Sequence, residues 1–244
     1  MIELEPAQRR TRLSLSESIR KRQHEGRFPV ISEIKVRSEK EGELLRGRDP
    51  VALALEMTQN PVAGISVVTE ETHFGGSMDL LRSVAAAVRV PVLHKDFVAT
   101  EEQLRESAAS GASAVLLIAS MLEPVNLARL IEAARGFGLE TLVEAHTLEE
   151  VNAIAHLSFD LTGINNRDIK ILEVDDDDVG RTETLAQHCP RGRLLISESA
   201  ISGAEDVKRA RRSGADAVLV GTAVLKAKSV GKLLRELTGV GWPA

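Results

Sequence analysis

Pro91-Val-Leu-His-Lys-Asp-Phe97 begins apolar and ends in a lysine, an aspartate and an aromatic ring. Its composition reads as a strand, and side chains in a strand alternate between two faces. Leu93, Lys95 and Phe97 therefore point one way, and Val92, His94 and Asp96 the other. A lysine that follows Leu93 on the same face is costly to bury without a partner. The end of this strand must have a use for the charge.

Working outward, other β-rich runs stop in the same manner. They cover residues 30–35, 64–69, 114–118, 140–144, 160–165, 193–198 and 217–220, alongside 90–95. Between them lie amphipathic stretches at 50–59, 78–88, 100–110, 124–136, 148–156, 175–189 and 204–213, and 230–237 closes the series. Strands alternating with helical patterns predict βα units and a parallel sheet. Eight such units predict a (β/α)8 TIM barrel. An open doubly wound sheet would usually carry a glycine-rich turn after its first strand, but Lys35 is followed by Val-Arg-Ser-Glu-Lys-Glu. Residues 1–28 are polar, with a helix expected over 14–24, and read as a short N-terminal helical extension to a barrel spanning 29–244. Ser110-Gly-Ala-Ser-Ala-Val-Leu-Leu117 returns as Ser213-Gly-Ala-Asp-Ala-Val-Leu-Val220 about half a chain later. This is either a trace of two similar half-barrels or a shared helix-to-strand turn with glycine ending the helix.

Of the 244 residues 43% are hydrophobic, enough for a sizeable core. The net charge of −5 offers no general basic field for nucleic acid or an anionic membrane. Cys189 is the only cysteine, so neither an internal disulfide nor a cysteine metal cluster is expected. No apolar stretch reaches membrane-spanning length and the first residues lack a secretory pattern, so a cytoplasmic protein is expected. Rings are scarce, at five Phe, one Trp and no Tyr. The core must be aliphatic, and the placement of each ring is informative. Asp175–Asp178, the one run of like charge, reads as acidic residues at a helix N-terminus, with a metal cluster as the alternative that adjacent, splayed helix positions disfavour.

In a barrel of this kind, polar residues at the C-terminal strand ends converge on one mouth. Those ends supply Glu33 and Lys35, Thr69, Lys95, Glu144, Asn165 and Arg167, Glu198 and Ser199, then Gly221 and Thr222. Lysines among carboxylates point to proton transfer, with Schiff-base chemistry as the alternative. The small-residue turns Ser197–Gly203 and Val220–Ala223 follow strands seven and eight, where backbone N–H groups and helix N-termini hold phosphate. Phe74 and Phe97 follow strands two and three and either offer an apolar slot for a flat ring or cap the top of the aliphatic core. His73, His94 and His146 also lie near strand ends. A metal hydrolase of this fold opens with His-X-His where this chain has Glu33-Ile-Lys35, so no metal is expected. The residues thus call for a phosphorylated small molecule with a flat apolar end and proton chemistry between.

Glu33-Ile-Lys35, Val67-Val-Thr-Glu70 with His73-Phe-Gly-Gly-Ser77, Leu93-His-Lys-Asp-Phe97, Leu142-Val-Glu-Ala-His146, Gly163-Ile-Asn-Asn-Arg-Asp168, Ile196-Ser-Glu-Ser199 and Leu219-Val-Gly221 together resemble the indole-3-glycerol-phosphate synthase family. The match runs from about Val30 to Leu225 at one motif per strand. The resemblance implies closure of the indole ring of 1-(o-carboxyphenylamino)-1-deoxyribulose 5-phosphate in tryptophan biosynthesis, with loss of carbon dioxide and water and no cofactor or metal. It implies Lys95 as general acid, Glu144 in proton transfer during dehydration, and Lys35 binding substrate or serving as a second acid. Glu33, Asn165 and Glu198 would orient the lysines and the ribulose hydroxyls, and Arg167 would support the site electrostatically. Ser199, Gly221 and Thr222 would hold the phosphate, and Phe74 and Phe97 would line the anthranilate pocket. A pathway-enzyme partner is left open. The alternatives are another phosphate-binding barrel, such as phosphoribosylanthranilate isomerase, and a non-catalytic sugar-phosphate binder. The former needs a Cys or Asp acid/base pair at the mouth, and Cys189 precedes Pro190 at a helix end. Two departures stand out: Ser38-Glu-Lys-Glu-Gly42 replaces the usual Ser-Pro-Ser-X-Gly, and Glu198-Ser-Ala-Ile201 replaces Glu-Ser-Gly-Ile. Should Ala200 need a positive φ, the cost is about 1 kcal/mol or more.

Overall fold

Each β-rich run forms a parallel strand. These are β1 (Val30–Ile34), β2 (Gly64–Val68), β3 (Val92–Lys95), β4 (Ala114–Ile118), β5 (Glu140–Ala145), β6 (Leu161–Asn165), β7 (Leu194–Glu198) and β8 (Ala217–Val220). In the computed structural model, which describes residues 13–167 and 178–243, they pair in chain order and β8 closes on β1, with Ile31 opposite both Leu219 and Gly64. The result is a closed eight-stranded parallel barrel. Before it comes α1 (Leu15–His24). Around it run α2 (Pro50–Thr58), α3 (Met78–Ala87), α4 (Glu101–Ala109), α5 (Pro124–Gly136), α6 (Leu148–Ile154), α7 (Gly180–Leu185), α8 (Ala204–Arg212), α9 (Thr222–Lys226) and α10 (Val230–Thr238).

Strand alternation sorts the apolar residues into two clusters. Val30, Ile34, Val67, Val92, Val115, Leu117, Val143 and Val218 face outward and pack under the helices. Ile31, Leu93, Leu116, Leu142, Leu161, Ile196 and Leu219 point inward and fill the barrel. Leu15 and Ile19 of α1 join that inner cluster and are completely buried. Helix α1 therefore closes the end of the barrel where the strands begin, so every strand must open its polar chemistry at the other end. The Glu140 carboxylate, at the start of β5, holds the helix in place. It accepts from Ser14 Oγ at 2.9 Å, Leu15 N at 2.5 Å, Ser16 N at 3.2 Å and Ser16 Oγ, a negative charge set at a helix N-terminus.

Helix starts follow local chemistry. Ser14, Asp49, Ser77, Thr100, Thr147 and Ser229 each cap a helix by accepting a backbone N–H. Gly111 and Gly214, the two echoed glycines, have φ of 90° and 102° in the turns after α4 and α8. Helix-ending glycine chemistry thus suffices to explain the repeat. Other features lay outside the sequence reading: a small antiparallel ribbon of Arg37–Ser38 with Gly42–Glu43, a 3-10 turn at Ala119–Met121, and the short helix α9. Of the acidic run, residues 175–177 lie outside the described residues, as does Asp168. Asp178 accepts from Gly180 N at 2.5 Å and pairs with Arg209 at 3.1 Å, and α7 begins only at Gly180.

Candidate active site

Glu33 is the hinge of the mouth. It is the penultimate buried residue of β1, and its two oxygens reach different lysines: Oε1 lies 3.6 Å from Lys35 Nζ and Oε2 lies 3.6 Å from Lys95 Nζ. Ser66 Oγ also approaches Oε2 at 3.4 Å. One carboxylate of low exposure thus fixes two ammonium groups that come from β3 and the end of β1. Room for it comes from Gly221: a Cβ there would stand 2.5 Å from Glu33 Oε1.

Across the barrel, Glu144 and Glu198 are both essentially fully buried, yet they differ in charge. Burial opposes ionisation of Glu144, but His146, Lys95 and Asn165 outweigh it and hold the carboxyl below its ordinary range. Burial pushes Glu198 well above that range, and the negative charges of Glu144 and Glu33 push it further. Neither Glu198 oxygen has a hydrogen-bond partner among the described residues. The surroundings thus favour the protonated form of Glu198 and the ionised form of Glu144. Gly163 separates them: it pairs with Glu144 on β5, and a Cβ on it would fall 2.2 Å from Glu198 Oε1.

Behind Glu144, His146 Nε2 lies 3.3 Å from Glu144 Oε1 and Nδ1 lies 3.4 Å from Glu150, ion-pair distances that do not close hydrogen bonds. Burial alone would favour neutral imidazole, but the two carboxylates raise its pKa to about 9.

Phe74 and Phe97 flank the lysines. Lys35 Nζ lies 5.5 Å from the Phe74 ring centre, and the two rings line a narrow crevice with Lys35, Lys95, Leu116 and Glu144. A larger cavity of about 510 Å³ opens on the other side, where Arg167, Ser199, Gly221 and Thr222 meet Glu33 and Lys35. The turn after β7 is left-handed at both Ser199 (φ 64°) and Ala200 (φ 57°). The departure from glycine at position 200 therefore carries the anticipated strain of about 1 kcal/mol or more. After β8, Gly221 caps α9.

Twelve of the thirteen residues expected at the mouth line these two cavities or, for Asn165 and Glu198, stand buried beside them. Thr69 differs. Its hydroxyl contacts His94 Nε2 at 2.7 Å and donates to Asp96, while His94 Nδ1 meets Ser107 of α4 at 2.7 Å. This network fixes the end of β3, from which Lys95 departs. Asn166 was not singled out in the sequence, yet it ties β6 to β7. Its Nδ2 donates to Ser197 Oγ at 3.1 Å and Glu198 O at 2.9 Å, and its Oδ1 accepts from Thr182 N at 2.9 Å. The signal was its position between Asn165 and Arg167, on the opposite strand face. Cys189 sits half-buried at the end of the 3-10 turn Ala186–His188, its thiol pushed by burial to about 11.

The first loop spans the mouth. Arg37 donates to Thr72 O at 2.7 Å, joining the loops after β1 and β2, and Glu41 pairs with Lys226 of α9 at 2.6 Å. Among the described residues no group of three or more His, Cys, Asp or Glu is arranged to hold a metal ion, and no helix is long and apolar enough to cross a membrane.

Residues 2–237 match the family model described as Indole-3-glycerol phosphate synthase. Proteins of that name are similar over nearly the whole chain. The one from Pyrococcus furiosus is 44% identical, covering 91% of this chain and 95% of its own. The one from Thermococcus kodakarensis is 42% identical over 93% and 97%, and the one from Nocardioides sp. 43% identical over 86% and 80%. Among solved structures, a chain of the tryptophan synthase complex of Pyrococcus furiosus superposes with a TM-score of 0.66 at 14% identity, covering 88% of this chain and 99% of that one. A protein from Aquifex aeolicus does so at 0.68 and 14%, over 92% and 97%. At such identity the structural likeness concerns the fold alone.

Proposed function

The chain belongs to the indole-3-glycerol phosphate synthase family and has that family's function in tryptophan biosynthesis, and from this premise we propose how its mouth does the chemistry. The substrate is 1-(o-carboxyphenylamino)-1-deoxyribulose 5-phosphate. Its flat anthranilate end enters the crevice of Phe74 and Phe97, and its phosphate lies in the cavity between Ser199, Gly221 and Thr222. The two ends then span the lysines.

Ring closure brings the aryl carbon that carries the carboxylate onto the ketone carbon. Negative charge grows on the carbonyl oxygen, and a preorganised cation stabilises it. Lys95 fills that role and gives up its proton, while Glu33 holds it at 3.6 Å. Carbon dioxide leaves and restores aromaticity to the six-membered ring. Dehydration follows, needing a base for the ring proton and an acid for the departing hydroxyl. Glu144, ionised, takes the proton. Lys35 binds the substrate and, as the second acid, gives its proton to the departing hydroxyl, which leaves as water. Glu198, neutral, donates a hydrogen bond to a ribulose hydroxyl and, with Asn165, orients it. Arg167 supports the site with its charge.

The observation that carries this reading is Glu33 between two lysines, with an aromatic crevice on one side and a small-residue cavity on the other. The test is stoichiometry. Purified protein should release one carbon dioxide per indole chromophore formed, and a substrate analogue lacking the phosphate should react with a KM raised at least tenfold. Carbon dioxide release without indole, or indifference to the phosphate, would refute the assignment of the two cavities.

A further inference from the structure

Glu144 is backed by a chain of charge that leads away from the mouth. His146 follows it two residues on, at the end of β5. Glu150 stands in the first turn of α6, where its backbone N–H is accepted by the Thr147 cap at 3.2 Å and its carboxylate accepts His146 N at 2.6 Å. The imidazole is thus gripped from both sides, at 3.3 Å by Glu144 and 3.4 Å by Glu150, with its side chain only 5% exposed. Few other charges bear on the pair. Lys95 of β3 acts on Glu144, and Glu198 of β7 feels both Glu144 and His146. The 3-10 turn Ala119–Met121 packs against β5 and α6 and brings only Ser120, which is neutral, while Glu149 and His188 are exposed.

We propose that His146, held by Glu150, is a positioning residue for Glu144: it supplies a positive charge behind the carboxylate and aims it at the substrate. The proposal rests on the reading of Glu144 as the proton-transfer group. Geometry supports it independently of titration. A neutral imidazole would have one bare nitrogen against one of the two carboxylates, whereas the imidazolium offers a donor to each. Burying two carboxylates around a cation is tolerable, and burying them around a neutral ring is not. The electrostatics agree, since His146 stays charged to about pH 9. Its charge therefore covers the whole range in which Glu144 must act as a base.

The test is the pH profile of kcat for the wild type, His146→Asn, Glu150→Gln and Glu144→Gln. Without the imidazolium, Glu144 holds its proton more tightly. The acid limb of His146→Asn should then move to higher pH by about one unit, a loss that approaches tenfold on the acid side of the limb and vanishes toward neutral pH. KM should stay within about twofold. Glu150→Gln keeps the ring but removes one of its two anions, so the titration of the imidazole itself, followed by NMR, should move to lower pH, and an unmoved titration would overturn the proposal; this variant also serves if His146→Asn does not fold. Losses that are equal at every pH, or profiles that superpose on the wild type, would overturn the proposal. Should Glu144→Gln retain full activity, the reading of Glu144 itself would fall, whatever the His146 variant does.

Discussion

Gly163 and Gly221 act through what they leave out. A methyl at Gly163 would stand 2.2 Å from Glu198 Oε1 and 3.3 Å from Leu142 Cδ1, and at Gly221 2.5 Å from Glu33 Oε1. Gly163→Ala and Gly221→Ala should each cost about 1–3 kcal/mol of stability by overpacking. They should also lower kcat by more than about a hundredfold, because the displaced carboxyls no longer orient the substrate or the lysines. Urea unfolding beside steady-state kinetics would check both; a stability loss with normal kcat would contradict the placement of Glu33 and Glu198. Gly221 was legible as a phosphate-turn residue and Glu33, Lys95 and Glu198 as strand-end charges, but the room that the two glycines leave for a carboxyl was not. A strand-end charge declares itself by breaking an apolar run. A glycine that makes room for a carboxyl on the neighbouring strand depends on cross-strand register, and single-chain alternation does not encode that. Ala200 is an intermediate case: its oddity was visible in the motif, but only φ of 57° shows that it bears strain.

Helix α1 is the element whose role was least legible. Its cap and boundaries follow from Ser14 and the pattern after it, but nothing local says that Leu15 and Ile19 enter the barrel interior. Glu140 is the clamp, and losing its hydrogen bonds to Ser14, Leu15 and Ser16 should cost about 2 kcal/mol in Glu140→Ala. Leu15→Ala, which empties a fully buried site, should cost about 2–5 kcal/mol. Both changes lie at the end of the barrel opposite the lysines. Activity at 25 °C should therefore persist while the denaturation midpoint falls. An unchanged midpoint would mean that α1 is dispensable to the fold. The eight strands and their helices, by contrast, were readable because each has a period, a length and usually a side-chain cap. The ribbon Arg37–Glu43 and helix α9 are too short to have a period. The first loop is held mainly by Arg37 and by the Glu41–Lys226 pair, a partly exposed contact worth under about 1 kcal/mol.

The charges of the whole molecule set a pH window for stability. His146 has a raised pKa, so its contribution is complete below pH 6.5 and is lost as pH climbs through about 9. Glu198, also raised, pulls the same way, since the fold favours its proton. Asp96 is depressed: burial raises it, but His94, Thr69 and the Phe97 N–H prevail. Its contribution is present above pH 3.8 and is lost as pH falls further. The urea midpoint should accordingly be highest in mildly acidic solution and decline toward pH 9, and His146→Asn should flatten the alkaline decline. A midpoint that rises from pH 6.5 to 9 would contradict the charge assignments. For the whole molecule the fold, the shared mouth and the family were all present in the sequence, because seven distinct motifs stand at seven of the eight strand ends, in order. The chemistry turns on Lys95 protonating the carbonyl as the ring closes. It is tested most directly by following indole fluorescence on mixing the protein with 1-(o-carboxyphenylamino)-1-deoxyribulose 5-phosphate, beside Lys95→Ala. The signal should grow with the wild type and be slowed by roughly 10²–10⁴-fold in the variant, with folding intact. Equal rates in the two proteins, or saturable binding with no signal in the wild type, would contradict it.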